Sequence, residues 1–471
     1  RMVFDGVEEV YREWETRGQV LVPSPQQAHA RLDQYFEGGW QPSERPNSLW
    51  YQTVRRLRMW TRYESLAEQE ESLQHRIQAE LSWINVQAEL YHPRRENLQH
   101  LEDFVSIRKD FRGSPVVIGK LSGRRPTVGR SVLLNGHVDV VPVGKESEWS
   151  VDPWDGVVKD GRMYGRGTTD MKGGLVSAYM ALKAIYDTGI YLDGDVYFST
   201  VVEEERGGAG TLSTVVEKKL QADVAIIPEP TSMKIFPKQQ GSAWFRISIQ
   251  GKGAHAGTRY EGINAISKAM KIMEALEALE ERRNSVFKKD PLYKNIPIPV
   301  PINVGHIEGG VWPSSVPDSA VLEGRLGIGP GESVQDAKRE FEEAVLSVSD
   351  EWMQAHPPKV EWWGARWPPG SMGGSEDETL LSILKTAFRN VTSSDPTVEA
   401  SPWATDAGIL SKYGTPGIVF GPGTTELAHQ ADESVSIADV IRCAHILAKA
   451  IVEYAGVDDM TPFPLHMPND I

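Results

Sequence analysis

SVLLNGHVDVVP (131–142) decides the fold. Val132, Leu133 and Leu134 form an apolar run that ends in Asn135-Gly136-His137, so the segment reads as a strand buried on both faces. Outward from it, SPVVIGKLSG (114–123), DVYFSTVVE (195–203) and ADVAIIPE (222–229) read as further strands, and GLVSAYMALKAIYDTG (174–189) and GAGTLSTVVEKK (208–219) as helices. Strands alternating with helices predict an α/β fold, a doubly wound and mostly parallel sheet with helices on both faces. Ligands of such sheets bind at the carboxyl ends of the strands, where His137, Glu204, Glu205 and Glu229 fall.

A second unit runs from about 241 to 367. SAWFRISIQG (242–251), PINVGHIEGG (301–310), SAVLEGRLGI (319–328) and PKVEWWGARW (358–367) read as strands. One helix carries Ile263, Ile266, Met270, Met273 and Leu276, and another carries Val334, Ala337, Phe341, Val345 and Val348. The β-α-β-β-α-β order predicts a small two-layer unit inserted into the larger domain. TLLSILKTAFRNV (379–391), TPGIVFGPG (415–423) and SIADVIRCAHILAKAIVEYAG (436–456) resume that domain, which is expected over 101–240 and 368–471. Residues 1–100 read as helical, in VEEVYREWETRG (7–18), PQQAHARLDQYF (25–36) and the stretch Leu49 to Tyr91, with no chemical motif. They are expected to dock on the larger domain.

Composition narrows the function. The 471 residues are 40% hydrophobic and 24% charged, which suits a globular protein with a sizeable core. The net charge of −15 argues against nucleic-acid or anionic-membrane partners. No apolar run long enough for a membrane helix occurs. The single cysteine, Cys443, excludes an internal disulfide and a thiolate metal site, so any metal must rest on His and carboxylates. The first fifteen residues are charged throughout and lack an apolar run, so the cytoplasm is the expected compartment.

No HExxH, phosphate-loop or GxSxG motif occurs. What remains is a dispersed set of histidines and carboxylates. A strand histidine is usually structural, but Asp139 two residues after His137 shares its face and can hold its second ring nitrogen. Asp170, in the glycine-dense GRGTTDMKGG (165–174), can cap a helix or bridge two metals. Glu203-Glu204-Glu205 follow an apolar strand and repel one another unless cations compensate. Glu229 stands between two prolines at a strand end. His255 in GAHAG (253–257) and His429 in LAHQ (427–430) are, singly, more often structural than functional. Together the set makes a binuclear divalent-metal site with mixed N/O ligands.

These residues sit in NGHVDVVP, DPWDGVVKDGRMYGRGTTDMKGG, EEERGGAGT, PEPT, GKGAHAG, NVGHIEGG, VPDSAVLEGR and AHQADESV. With them the chain, from about 105 to 455, resembles the acetylornithine deacetylase, succinyl-diaminopimelate desuccinylase and aminoacylase family of dinuclear-metal amidohydrolases and peptidases. The resemblance implies two divalent ions per chain, zinc first, with cobalt and manganese also accepted. It implies that His137, Asp170 and Glu229 hold one ion and that Asp170, Glu205 and His429 hold the other. Asp139 would orient His137, and Glu204 would be the general base acting on a metal-bridging water. The family's EE-x-GG spacing sets that frame and leaves Glu203 where an Asp is usual. The inserted unit would be a lid and homodimerisation module. Its His255 would polarise the scissile carbonyl, and Asn303 and Arg325 would hold the carboxylate of a small-molecule substrate.

The activity implied is hydrolysis of an amide C–N bond, foremost deacylation of an N-acyl amino acid or amine. Glu at the PEPT position, where several peptidases of the family carry Asp, favours that over a di- or carboxypeptidase. Cleavage of an unusual C–N bond, such as that of an aromatic amine, stays open, as does a non-catalytic binding protein on the same fold.

Overall fold

The computed structural model describes residues 23–371 and 375–459. The stretch 7–18 lies outside them. Helix α1 (Pro25–Phe36) starts on a capping box, Ser24 and Gln27 each satisfying the other's backbone N–H, with Pro25 in the first turn. Helices α2 (Leu49–Arg62) and α3 (Glu71–Ser82) follow. Phe36, Leu57, Trp60, Leu73, Ile77 and Leu81 are fully buried in the same core as the main sheet. Each such side chain contributes about 1.5–3 kcal/mol by leaving water. The stretch to Tyr91, expected to be helical, ends instead in strand β1 (Gln87–Tyr91), which pairs with β2 (Val116–Leu121). The tertiary edge position overrides helical composition there.

The main sheet adds β3 (Val132–His137), β4 (Val196–Val201), β5 (Val224–Ile227) and, later in the chain, a strand at Gly417–Val419. Its order is β1-β2-β4-β3-β5 and then Gly417–Val419. The last four strands run parallel, and β1 and β2 form an antiparallel edge, so the sheet is mixed and parallel around its centre. Every residue of β3 is buried. Helix α4 (Gly173–Asp187) is buried almost throughout. A Cβ at its Gly174 would lie 1.7 Å from the carbonyl oxygen of Pro228, so glycine is what lets the Asp170 loop approach the Glu229 segment. Helix α5 (Ala209–Val216) follows the glutamate run.

Residues 241–367 form a separate antiparallel sheet of β6 (Gly241–Gln250), β7 (Ile302–Gly309), β8 (Ser319–Ile328) and β9 (Lys359–Trp367), in the order β7-β8-β6-β9. Helices α6 (Ala265–Phe287) and α7 (Val334–Leu346) cover one face, where Phe245, Ile247, Leu276, Leu322 and Phe341 make a second core. Helices α8 (Ser375–Thr392) and α9 (Ile437–Ala455) return to the first core. Among the described residues, no helix is long and apolar enough to cross a membrane.

Candidate metal centre

Five chain segments converge at the carboxyl end of the main sheet. β3 ends at His137, which is 1% exposed. Its Nε2 lies 3.1 Å from Asp170 Oδ1, 3.8 Å from Glu229 Oε1 and 4.0 Å from Glu204 Oε2. The other oxygen of Asp170, Oδ2, lies 3.2 Å from His429 Nε2, and Glu205 Oε1 lies 3.0 Å from the same nitrogen. Asp170 thus divides its two oxygens between two histidines. Among the described residues, two groups have ligand atoms close enough to share an ion, His137-Glu204-Glu229 and His137-Asp170-Glu205. Glu204 lies in the same cluster, farther from His137 than Asp170 and Glu229 do.

Asp139 meets His137 through two groups. β3 stops at His137, so strand alternation no longer governs Asp139. The nearer partner of His137 Nδ1 is the backbone carbonyl of Asp139, at 2.8 Å, with the carboxylate 3.6 Å away. That carboxylate also accepts from the backbone N–H groups of Glu204, at 3.3 Å, and Glu205, at 3.1 Å. Asp139 fixes the glutamate run. Glu203 turns the other way and pairs with buried Arg108, Nε to Oε1 at 3.3 Å. Glu203 and His429 both adopt left-handed φ values, +63° and +61°, a strained backbone that surrounding structure has to hold.

The electrostatics call for cations. Burial first, then Glu229 and other neighbouring carboxylates, push Glu204 well above the usual carboxylate range, against the pull of His137. Burial and the nearby Asp170 and Glu205 do the same to Glu229. Asp170 goes the other way: burial would raise it, but hydrogen bonds from His137 and His429 hold it well below. Hydrogen bonds to Asp170 and Glu205 raise His429 to about 10. Four carboxylates and two imidazoles in one largely buried cluster form a donor set that fits two divalent ions.

His255, Asn303 and Arg325 lie in the other unit and belong to neither ligand group. His255 is exposed, and its Nδ1 accepts from the N–H of Gly257 at 3.1 Å. Asn303 and Arg325 are paired across β7 and β8. Burial without a counter-charge pushes the Arg325 guanidinium down, and its Nε is buried with no hydrogen-bond partner.

Several buried polar groups around the cluster escape a motif reading. Arg166 and Glu433 form an ion pair at 2.6 Å. Asp406 accepts from Thr211 Oγ1 at 2.6 Å, and burial pushes its carboxyl up to about 6. Glu70, at the start of α3, accepts from Ser114 Oγ at 2.5 Å, and Arg108 donates to that same hydroxyl at 2.6 Å. Arg166 and Glu433 stood inside quoted motifs, which was their only signal.

Comparison with known proteins agrees with this picture. The profile of peptidase family M20/M25/M40 matches residues 133–453. The N-formyl-4-amino-5-aminomethyl-2-methylpyrimidine deformylase of Halalkalibacterium halodurans is 33% identical over 365 residues, 73% of this chain and 84% of that one. The acetylornithine deacetylase of Pectobacterium atrosepticum is 30% identical over 328 residues, 68% of this chain and 79% of that one. Among solved structures, aminopeptidase PepT of Bacillus cereus has a TM-score of 0.67 at 18% identity, over 86% of this chain and 99% of that one. The Bacillus subtilis YXEP protein, described as a dinuclear metal binding peptidase, has a TM-score of 0.61 at 16% identity, over 86% and 98%. The two structures share the fold. The profile and the two relatives go further: the chain belongs to peptidase family M20/M25/M40 and is a metal-dependent amidohydrolase.

Proposed function

We propose that the chain deacylates a small N-acyl amino acid or N-acyl amine with two divalent ions per chain. The observation that carries this reading is the split of Asp170 between His137 and His429, with Glu204 in the same cluster. His137, Asp170 and Glu229 would hold one ion, and Asp170, Glu205 and His429 the other. Zinc suits this set, and cobalt and manganese accept it. Bound there, the ions would acidify a water and stabilise the tetrahedral oxyanion. Glu204 takes a proton from the attacking water and delivers it to the leaving nitrogen as the C–N bond breaks. Asp139 holds the backbone of Glu204 and Glu205 in place for this.

The relatives that remove formyl and acetyl groups support deacylation over peptide cleavage. In the 241–367 unit, His255 would donate to the developing oxyanion, while Asn303 and Arg325 grip a substrate carboxylate. The unpartnered Nε of Arg325 supports that grip. The same unit would join two copies into a homodimer. A screen of N-formyl and N-acetyl amino acids against N-acyl aromatic amines, with and without added metal, tests the reading. No turnover of any N-acyl compound by metal-loaded protein would refute it.

One observation favours an aromatic substrate. Cross-strand register places Asn303, Arg325, Trp244 and Trp363 in one row across the four-stranded sheet, so their side chains share a face. Trp244 and Trp363 are 40% and 42% exposed and meet edge to face, their ring centroids 5.8 Å apart. A flat ring beside the carboxylate grip would cover them. Trp244→Ala should then raise KM for aromatic N-acyl substrates more than for aliphatic ones.

A further inference from the structure

Arg166 and Glu433 are 267 residues apart, yet they join three of the segments that build the metal cluster. Both are almost fully buried, 2% and 1% exposed. Arg166 Nη1 donates to Glu433 Oε2 at 2.6 Å and to the carbonyl of Gln430 at 3.3 Å, beside His429. Its Nη2 donates to the carbonyl of Pro142 at 3.2 Å, on the segment that follows His137 and Asp139. Its guanidinium also stacks over Trp149, 5.2 Å from the ring centroid.

The free oxygen of Glu433 reaches the third segment. Oε1 accepts from the backbone N–H of Thr169 at 3.0 Å and from that of Asp170 at 3.1 Å. Asp170, φ −123° and ψ 95°, and Met171, φ −129° and ψ 28°, both break the helical geometry of this turn. The N–H of Asp170 therefore has no helical partner, and Glu433 supplies one.

We propose that Arg166 and Glu433 are positioning residues that set the bridging carboxylate of Asp170 between His137 and His429. The proposal rests on the dinuclear reading of the cluster. A carboxylate that serves two ions must present each oxygen within about 0.5 Å of its place. Fixing the backbone at Asp170 itself, while tying it to the His137 and His429 segments, does this. Neither residue belongs to either candidate ligand group.

A merely structural ion pair would leave metal affinity alone once the fold is intact, and that separates the two accounts. Arg166→Met/Glu433→Leu removes both charges together, so no lone charge stays buried, and also removes the acceptor of the Thr169 and Asp170 amides. Glu433→Asp keeps the ion pair but withdraws the carboxylate from the two amides. Metal-free wild type and both variants are titrated with Co²⁺ alone, following the visible absorption of the bound ion, and their melting temperatures are measured without metal. The expected result is melting close to wild type with apparent Co²⁺ affinity about 10–100-fold weaker and a changed spectrum. A folded variant with wild-type affinity and spectrum overturns the proposal. If neither variant folds, the pair is structural and the proposal also falls. If wild type itself takes up no Co²⁺, the dinuclear reading fails instead.

Discussion

The metal cluster and the row on the 241–367 sheet hold their polar groups in opposite ways. At the cluster the bridging carboxylate and the backbone around it are tied. Asp170 meets two histidines, Asp139 holds two backbone amides of the glutamate run, and Glu433 holds two more. In that unit, Arg325 keeps a buried Nε without a partner, and exposed His255 takes the N–H of Gly257 on its ring Nδ1. Ligands for a cation must be placed before it arrives, which many mutual bonds accomplish. Groups that act on a substrate are left unsatisfied so that the substrate completes them.

That contrast can be broken most sharply inside the cluster. Glu204→Gln removes the proton shuttle and keeps the shape, so kcat should fall at least ~10²-fold with metal content retained. Glu205→Gln should lose metal instead. Steady-state kinetics paired with metal analysis checks both. Swapped phenotypes would move the base by one residue.

On the other side, His255→Ala should lower kcat by ~10²-fold, the scale of losing one oxyanion donor. Melting temperature and metal content should not move, because the side chain is exposed. If the histidine acts across a dimer, mixing His255→Ala with Glu204→Gln protein should restore part of the activity. No recovery after verified subunit exchange would confine it to its own chain. A smaller effect is expected at Arg325. Arg325→Met should raise KM for carboxylate-bearing substrates by ~10–100-fold, the worth of a charged hydrogen bond, with kcat changed less.

The smallest expected effect lies behind the cluster. Burial, then the charge of Asp139, pushes Glu70 up to about 7. The folded chain therefore holds a proton that the unfolded chain, near 4.3, has released. Stability from this group is full below about 4.5, falls as pH rises toward 7 and is flat above. Glu70→Gln should remove that loss, raising stability at pH 8 by at most about 4 kcal/mol and by little at pH 4.5. Denaturant melts at the two pH values check it. An equal change at both would remove Glu70 from the account.

Much of this was legible in the residues. The apolar run before His137, the helices between strands and the β-α-β-β-α-β order follow from periodicity, which burial dictates directly. The ligand candidates were legible because they punctuate strand ends. Pairings across long separations were not. Nothing local says that Glu433 reaches the amides of Thr169 and Asp170, or that Glu70, Ser114, Arg108 and Glu203 share one buried network. β1 was missed for the same reason, since only its partner β2 makes Gln87–Tyr91 a strand. Strand alternation ends with β3, so nothing local says that Asp139 also holds the backbone amides of Glu204 and Glu205.

The central claim is a pair of divalent ions joined by Asp170. Its most direct test is elemental analysis of protein reloaded with Zn²⁺ after chelation, comparing wild type with Asp170→Ala alongside activity on an N-acyl substrate. The account predicts two ions per wild-type chain, activity that is lost on chelation and returns on reloading, and loss of both ions in the variant. Full activity in metal-free wild type, or two ions retained by Asp170→Ala, would contradict it.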